Sequence, residues 1–478
     1  MGRDHQSRFE RAVHALRCGR PEPQVTDVTD ERYLTAEEAE DFLARHPTLQ
    51  WVDILLFDMI GIGRGKRIRA AELPALAKKT VMFCSTVYLM DTRGTCCEET
   101  GRLWETGDPD LKFRLLADTL APVDTGEVTH AQVVMVPVED EGGLDPRRLL
   151  QRQATAFAAE DRFPVAAVEL EFYLIKACPD GDFKLETPAG AITDPDWEQL
   201  YQFDELNWAS AFIDDVYRIA EGQGLPVDTM IQESGPAQFE INLQHRSDVV
   251  QAGLEGLLLK RAIKAAAKVH GMDVTFMPKP HHDWASSGMH VHMSLVDVAG
   301  NNLFAGDSVS PLCRNAIGGL RETMGEFMAL WAQSANAYRR YQPKAYVPLA
   351  ANWAYNNRNV SLRVLTEPAA ATRIEHRIAG SDANPYLVLA AMLAGIRHGI
   401  AENVDPGEAC EGSAENGPAL ALPLTWESAI ARFGASPIVR EAFGEPFQTV
   451  FTRLKQAERD HFARIVTALD HQWYAHAV

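Results

Sequence analysis

FMPKPHHDWASSGMHVHMSL, residues 276–295, decides how the rest of the chain is read. Its second half alternates like a strand, and His290 and His292 stand two apart within it. Side chains two apart on a strand share a face, so both imidazoles can look into one cavity. The same spacing recurs in VAAVELEFYLI, where Glu169 and Glu171 flank Leu170. QESGPAQFEINL adds Glu233 and Glu240, and TRIEHRIAG adds Glu375 between Arg373 and Arg377. Carboxylates, imidazole and guanidinium groups together are what a divalent-metal, phosphate-handling site requires.

Two ionised carboxylates on one face of an apolar strand repel each other unless a cation sits between them. A solvated edge strand is the bland alternative, weakened by apolar flanks on both sides of ELE. Oxygen-rich clusters with a histidine suit Mg²⁺ or Mn²⁺ rather than zinc, and no cysteine is placed to add a thiolate. In YRRYQPKAYVPLAANWAYNNRNVSLRV, residues 338–364, Arg339, Arg340, Arg358 and Arg363 lack acidic neighbours. That pattern favours an anion site, because guanidinium forks bind phosphate or carboxylate bidentately. His281 and His282 follow Pro280 in a loop and read as solvated, while Trp284 either covers a cavity or simply packs. GIGRGK, residues 61–66, has the wrong spacing for a phosphate loop and leads into a strand. Asp58, just before it, is either a turn residue or a functional acid.

The 478 residues allow two domains and a large core. A net charge of -20 argues against non-specific binding to nucleic acid or anionic membrane. No apolar run reaches the roughly 18 residues of a membrane span, and the N-terminus lacks the apolar core of a signal peptide. Seven scattered cysteines, Cys96 and Cys97 adjacent among them, point to a reducing cytoplasm rather than a disulfide framework.

Residues 1–33 read as a polar arm, helical in part. TAEEAEDFLARHP carries a capping signal at Thr35 and a stop at Pro47. QWVDILLFDMIG, GKRIRAAEL and THAQVVMVPVED then read as strands of a small β-rich domain, 34–141. A larger α+β domain, 142–478, opens with the helix DPRRLLQRQATAFAAED. Helices are expected over 204–223, 247–270 and NPYLVLAAMLAGIRHGI, and along 446–474.

FMPKP…SGMHVHMSL, RNVSLRV and RIEHRIAGSDANPYL, in this order, resemble the glutamine synthetase family of the bacterial type, from about Thr35 to the C-terminus. DMIGIGRGKRI, GLPVDTMIQESGPAQFEINLQH and NNRNVSLRV are similar to its γ-glutamyl-amine ligase branch, γ-glutamylpolyamine synthetases above all. The resemblance implies an N-terminal β-grasp domain, a catalytic α/β domain, and a ring oligomer, typically two stacked hexamers, with active sites between subunits. It implies that Glu171, Glu233 and Glu240 hold one metal ion and that Glu169, His290 and Glu375 hold another, two to three ions per site. Arg340, Arg363 and Arg377 would bind the acid and the phosphates, Arg358 the nucleotide phosphates. His292 and Ser294 would line the ATP site. Asp58, from the neighbouring subunit, would face the amine.

The departures bear on the substrate. Ammonia-using members carry a flap glutamate where this chain has Tyr346, six residues after Arg340. An aromatic wall there, with Trp284, favours an organic amine, by cation–π contact or packing. Ala285-Ser286 stands where the family usually has a glycine near the glutamate amino group, and no tyrosine lies between Tyr386 and Tyr474 to be adenylylated. The expectation is an ATP-dependent glutamate–amine ligase. An ammonia-using glutamine synthetase and a non-catalytic ring protein are the alternatives.

Overall fold

The computed structural model describes residues 31–140, 142–178, 183–188, 191, 193, 200–414 and 419–477. Most of the N-terminal arm, residues 1–30, lies outside them.

The capping signal at Thr35 forms as read. Its hydroxyl accepts from Glu38 N–H, the Glu38 carboxylate accepts from Thr35 N–H, and the helix Ala36–Arg45 follows. A six-stranded sheet comes next, built from β1 (Trp51–Phe57), β2 (Gly63–Arg69), β3 (Val81–Cys84), β4 (Asp110–Leu115), β5 (Ala121–Pro122) and β6 (His130–Pro137), in the order β2-β1-β6-β4-β3 with β5 on β6. β1 pairs parallel with β6; the other pairings are antiparallel. The sequence explains the positions. WVDILLF buries Val52 and Ile54–Phe57 and takes an interior place, whereas polar GRGKRIR makes an exposed edge. GIGRGK is therefore a turn running into an edge strand.

The second sheet carries the site. Its strands are β7 (Phe163–Ala177), β8 (Phe183–Leu185), β9 (Val227–Gln232), β10 (Gln238–Leu243), β11 (Asp273–Thr275) and β12 (Met289–Val296). β13 (Ala350–Ala351) pairs separately with β17 (Leu420–Ala421), and β14 (Trp353–Tyr355), β15 (Leu362–Leu365) and β16 (Arg373–His376) complete the large sheet. Its order is β14-β15-β16-β12-β7-β10-β9, antiparallel except for β14 on β15. The fifteen-residue β7 is the spine: Val168, Leu170 and Phe172 are buried on one face while Glu169 and Glu171 share the other. The helix Val249–Val269 packs on β7, and the helices Pro146–Ala158 and Pro385–Ala401 pack with it. Close approach needs small residues there. A Cβ on Gly253 would lie 2.7 Å from the Tyr386 ring, and one on Gly256 would lie 3.2 Å from Pro385.

Two expected helices are each two. Residues 204–223 divide into Phe203–Trp208 and Ser210–Gly222, which meet at Ala209. The 446–474 segment divides into Glu445–Ala463 and Ala468–Tyr474, because Thr467 and Asp470 form a fresh capping box. No helix among the described residues is long and apolar enough to cross a membrane, and the described cysteines are all free.

Candidate active site on the large sheet

Strand register assembles the site. Glu240 on β10 lies opposite Glu171 on β7, and Glu169 lies opposite His290 on β12. His292 lies opposite Glu375 on β16, which lies opposite Arg363 on β15. Partners across a ladder and residues two apart share a face, so these seven side chains and Arg377 form one stripe over four adjacent pairings. His290 is its centre. Its Nδ1 lies 3.6 Å from Glu169, 3.9 Å from Glu240 and 3.9 Å from Glu375, and its Nε2 lies 3.8 Å from Glu171.

His292 is held at both nitrogens. Nδ1 accepts from Arg373 Nε at 3.1 Å, which leaves Nε2–H to donate to Glu169 at 2.9 Å. Glu375, only 1% exposed, pairs with Arg363 at 2.9 Å and with Arg377. Burial works against its ionisation, yet Arg377 and the two histidines hold it at about 2. Burial likewise opposes ionisation of Glu169, and the His292 and His290 imidazoles pull it well below the usual carboxylate range.

The other carboxylates go the opposite way. Burial, then the Glu233 charge, pushes Glu171 up to about 8, although its Oε2 accepts from Gly288 N–H at 2.7 Å. Glu240 is raised well above the ordinary range by burial and by the charges of Glu169, Glu171, Glu233 and Glu375. Burial also raises Glu233, which stands at the end of β9. His290 is lowered by burial and by Arg377, which favours the neutral imidazole that ligates metals.

An under-neutralised carboxylate cluster around a neutral imidazole fits a divalent cation. Glu169, Glu240 and His290 bring ligand atoms within 4.8 Å of one another, and so do Glu169, His292 and Glu375. The donor set, oxygen-rich with imidazole, suits a hard cation. Arg340 and Arg377 lie close enough for their charges to act on Glu171. Both are nearly fully buried, and each keeps an unpartnered Nε. Arg340 Nη1 donates to Ile378 O at 2.8 Å.

The remaining candidates are more dispersed. Ser294 is buried on the stripe face of β12. Arg358 is exposed, close enough for its charge to act on Glu233. Trp284 packs as a half-buried ring 4.8 Å from His281 and 5.9 Å from Tyr173. Tyr346 is 66% exposed, and no hydrogen bond or ring contact joins it to the stripe. Asp58 belongs to the β1–β2 turn, where Ile60 N–H, Ile62 N–H and Arg64 already satisfy its carboxylate. His281 and His282 lie in a solvated loop beside Asp283, as read.

Of Arg373, His245 and Asn356, the motifs single out only Arg373, as one of the guanidinium groups around Glu375. His245, in the QH that leaves β10, stacks edge-on 5.9 Å from His292, and burial lowers it to about 4. Asn356 accepts from Arg363 at 2.6 Å. A polar residue just beyond a functional strand was the available signal for both.

The mixed sheet brings carboxylates, imidazoles and guanidinium groups from separate motifs onto one face. Residues 143–474 match the glutamine synthetase catalytic domain, and the chain belongs to the glutamine synthetase family. Enzymes of this family are ATP-dependent and use divalent metals. The chain is 36% identical to the gamma-glutamylputrescine synthetase of Escherichia coli (strain K12), over 91% of its own length and 94% of that protein's. It is 29% identical to a glutamate–isopropylamine ligase of a Pseudomonas species, over 87% and 93% of the two lengths. With the gamma-glutamylethanolamide synthetase of Streptomyces coelicolor it shares 28% identity, over 86% and 89%. In fold it matches a solved GmaS/ADP complex with a TM-score of 0.80 at 24% identity, covering 93% of this chain and 100% of that one.

Proposed function

We propose that the protein is an ATP-dependent ligase joining the γ-carboxylate of glutamate to an organic amine through a γ-glutamyl phosphate. The observation that carries this is the single-face stripe of Glu169, Glu171, Glu240, His290, Glu375, Arg363 and Arg377. A carboxylate is a poor acyl donor, so it must first be phosphorylated before an amine can attack its carbon. Glu171, Glu233 and Glu240, and Glu169, His290 and Glu375, are the sets proposed to hold Mg²⁺ or Mn²⁺, two to three ions per site. Bound there, the ions neutralise charge on the transferring phosphoryl group.

The chain's own groups do the rest. Arg340, Arg363 and Arg377 bind and orient the acid and the phosphates, with the free Nε of Arg340 and of Arg377 as donors in reserve. Arg358, His292 and Ser294 lie along the nucleotide. Asp58, supplied by the adjacent subunit of a homo-oligomer, takes the proton that an amine must lose before it can attack. Tyr346 and Trp284 face the organic body of the amine. The 36% identity to a gamma-glutamylputrescine synthetase favours a polyamine. The composition and free cysteines fit a cytoplasmic setting.

Phosphate release from ATP, Mg²⁺ and glutamate, measured with ammonia, putrescine, spermidine, ethanolamine, methylamine, isopropylamine and aniline, tests the proposal. Turnover with an organic amine and little with ammonia is expected. Turnover with ammonia alone would make the protein a glutamine synthetase, and silence across the panel would point to a non-catalytic role.

A further inference from the structure

We infer that Asn384 is a positioning residue for the amine half of the reaction, fastening the loop that carries Asp58 to the segment that leaves the phosphate-handling site. The inference rests on the reading of Asp58 as the amine-facing acid of the neighbouring subunit's site.

The connection begins at the stripe. Arg377, which pairs with Glu375, is followed by Ile378, whose carbonyl accepts from Arg340, and by Ala379, whose carbonyl accepts from Met289 N–H at 2.9 Å. Ser381 Oγ donates to the carbonyl of Glu171, and its N–H donates to Ser287 O at 3.1 Å. Lys260 Nζ holds Ala383 O at 3.0 Å. Ile378, Ala379, Ser381, Ala383 and Asn384 are all fully buried. A segment so pinned transmits a displacement rather than absorbing it.

It ends on the small sheet. Asn384 caps the helix Pro385–Ala401, its Oδ1 accepting from Tyr386 N–H at 3.0 Å. Capping uses only that oxygen. The amide nitrogen turns the other way and donates to the carbonyl of Asp58 at 3.0 Å, with Met59 O at 3.4 Å. The same Asp58 carbonyl accepts from Gly61 N–H at 3.0 Å, so both of its lone pairs are used. Gly61 has φ +80°, and a Cβ there would meet Asn384 at 3.4 Å. The Asp58 turn is thus seated directly on Asn384. One side chain joins a subunit's own phosphate-handling segment to the acid it offers its neighbour.

The two functions of Asn384 are separable. N384S keeps an oxygen for the cap and loses the amide donor. N384D keeps the shape and the cap but aims an oxygen at two carbonyl oxygens. Both should raise the KM for the preferred amine by up to about 100-fold, the order that a misplacement of about 1 Å can cost, with the KM for ATP and amine-free ATP hydrolysis nearly unchanged. A uniform change in all constants, or none, would overturn the proposal.

Mixed oligomers identify the site that is served. Co-assembly of D58A chains with E375A chains should recover activity, because each supplies what the other lacks. Adding N384D to the E375A chain, which donates the intact Asp58, should raise the amine KM of the mixture; adding it to the D58A chain should not. The reverse dependence would sink the proposal. Failure of the simple D58A and E375A mixture would instead refute the neighbouring-site reading of Asp58, and the proposal with it.

Discussion

Asp58 in the small sheet and Glu240 in the large one are both buried carboxylates, 1% and 7% exposed. Burial raises the pKa of each. The difference lies in what surrounds them. Asp58 has two backbone N–H donors and the Arg64 guanidinium at 2.8 Å. Glu240 faces four other carboxylates, and among the described residues only His290, at 3.9 Å, approaches it as an ion-pair partner. A buried charge that the fold has already compensated needs no ion from outside. One that the fold leaves uncompensated awaits a cation from outside.

The largest expected effect comes from removing a carboxylate of the uncompensated kind. E171A should lower ATP turnover by about 10²- to 10³-fold, the scale of losing an electrostatic contact at the reacting phosphate. Its circular dichroism should match wild type; unchanged phosphate release would show that Glu171 holds no essential ion.

The next prediction concerns pH. The folded protein holds the Glu171 proton up to about 8, whereas an unfolded glutamate releases it near its ordinary value of 4.5. Stability from that proton is therefore fully present below 4.5 and is lost as pH rises towards 8. In EDTA the Tm should fall across this window, and added Mg²⁺ or Mn²⁺ should raise Tm most at its alkaline end. Glu375, held at about 2, contributes in the opposite sense, and only in acid. A melting temperature indifferent to metal at pH 8 would break the contrast between the two kinds of carboxylate.

On the compensated side, R64A removes one of three donors to Asp58. It should cost roughly 2 kcal/mol of unfolding free energy in urea, a typical charged hydrogen bond, with metal-induced stabilisation unchanged. The smallest effect belongs to the exposed trio His281, His282 and Asp283, which also clusters potential ligands. H282A should move neither Tm nor the Mg²⁺ or Mn²⁺ concentration needed for activity. A shift in that requirement would mean that exposure does not separate idle clusters from working ones.

Much of this was legible. ELE and HVH, two apart on apolar runs, marked the faces correctly because side-chain alternation is a local property. The Thr35 cap formed as read, and the helix expected from Asp145-Pro146 begins at Pro146, for the same reason. The arginines were harder. Arg363 looked unpaired in sequence, but its partner Glu375 comes from the next strand of the sheet. The break at Ala209 interrupts an apolar period with no proline or glycine to announce it, whereas the one before Thr467 left a Thr-x-x-Asp signature.

Which side chains share a strand face, where several helices begin and, through the motifs, which family the chain joins all follow from the order of its residues. Spacing along the backbone fixes these without reference to distant residues. Folding settled the rest: Glu240 pairs with Glu171 and Glu375 with His292, Arg363 and Arg377 converge on one carboxylate, and Asn384 reaches across to Asp58. These depend on strand register and on helix packing between segments up to 326 residues apart. There a shift of one residue would turn every side chain to the other face.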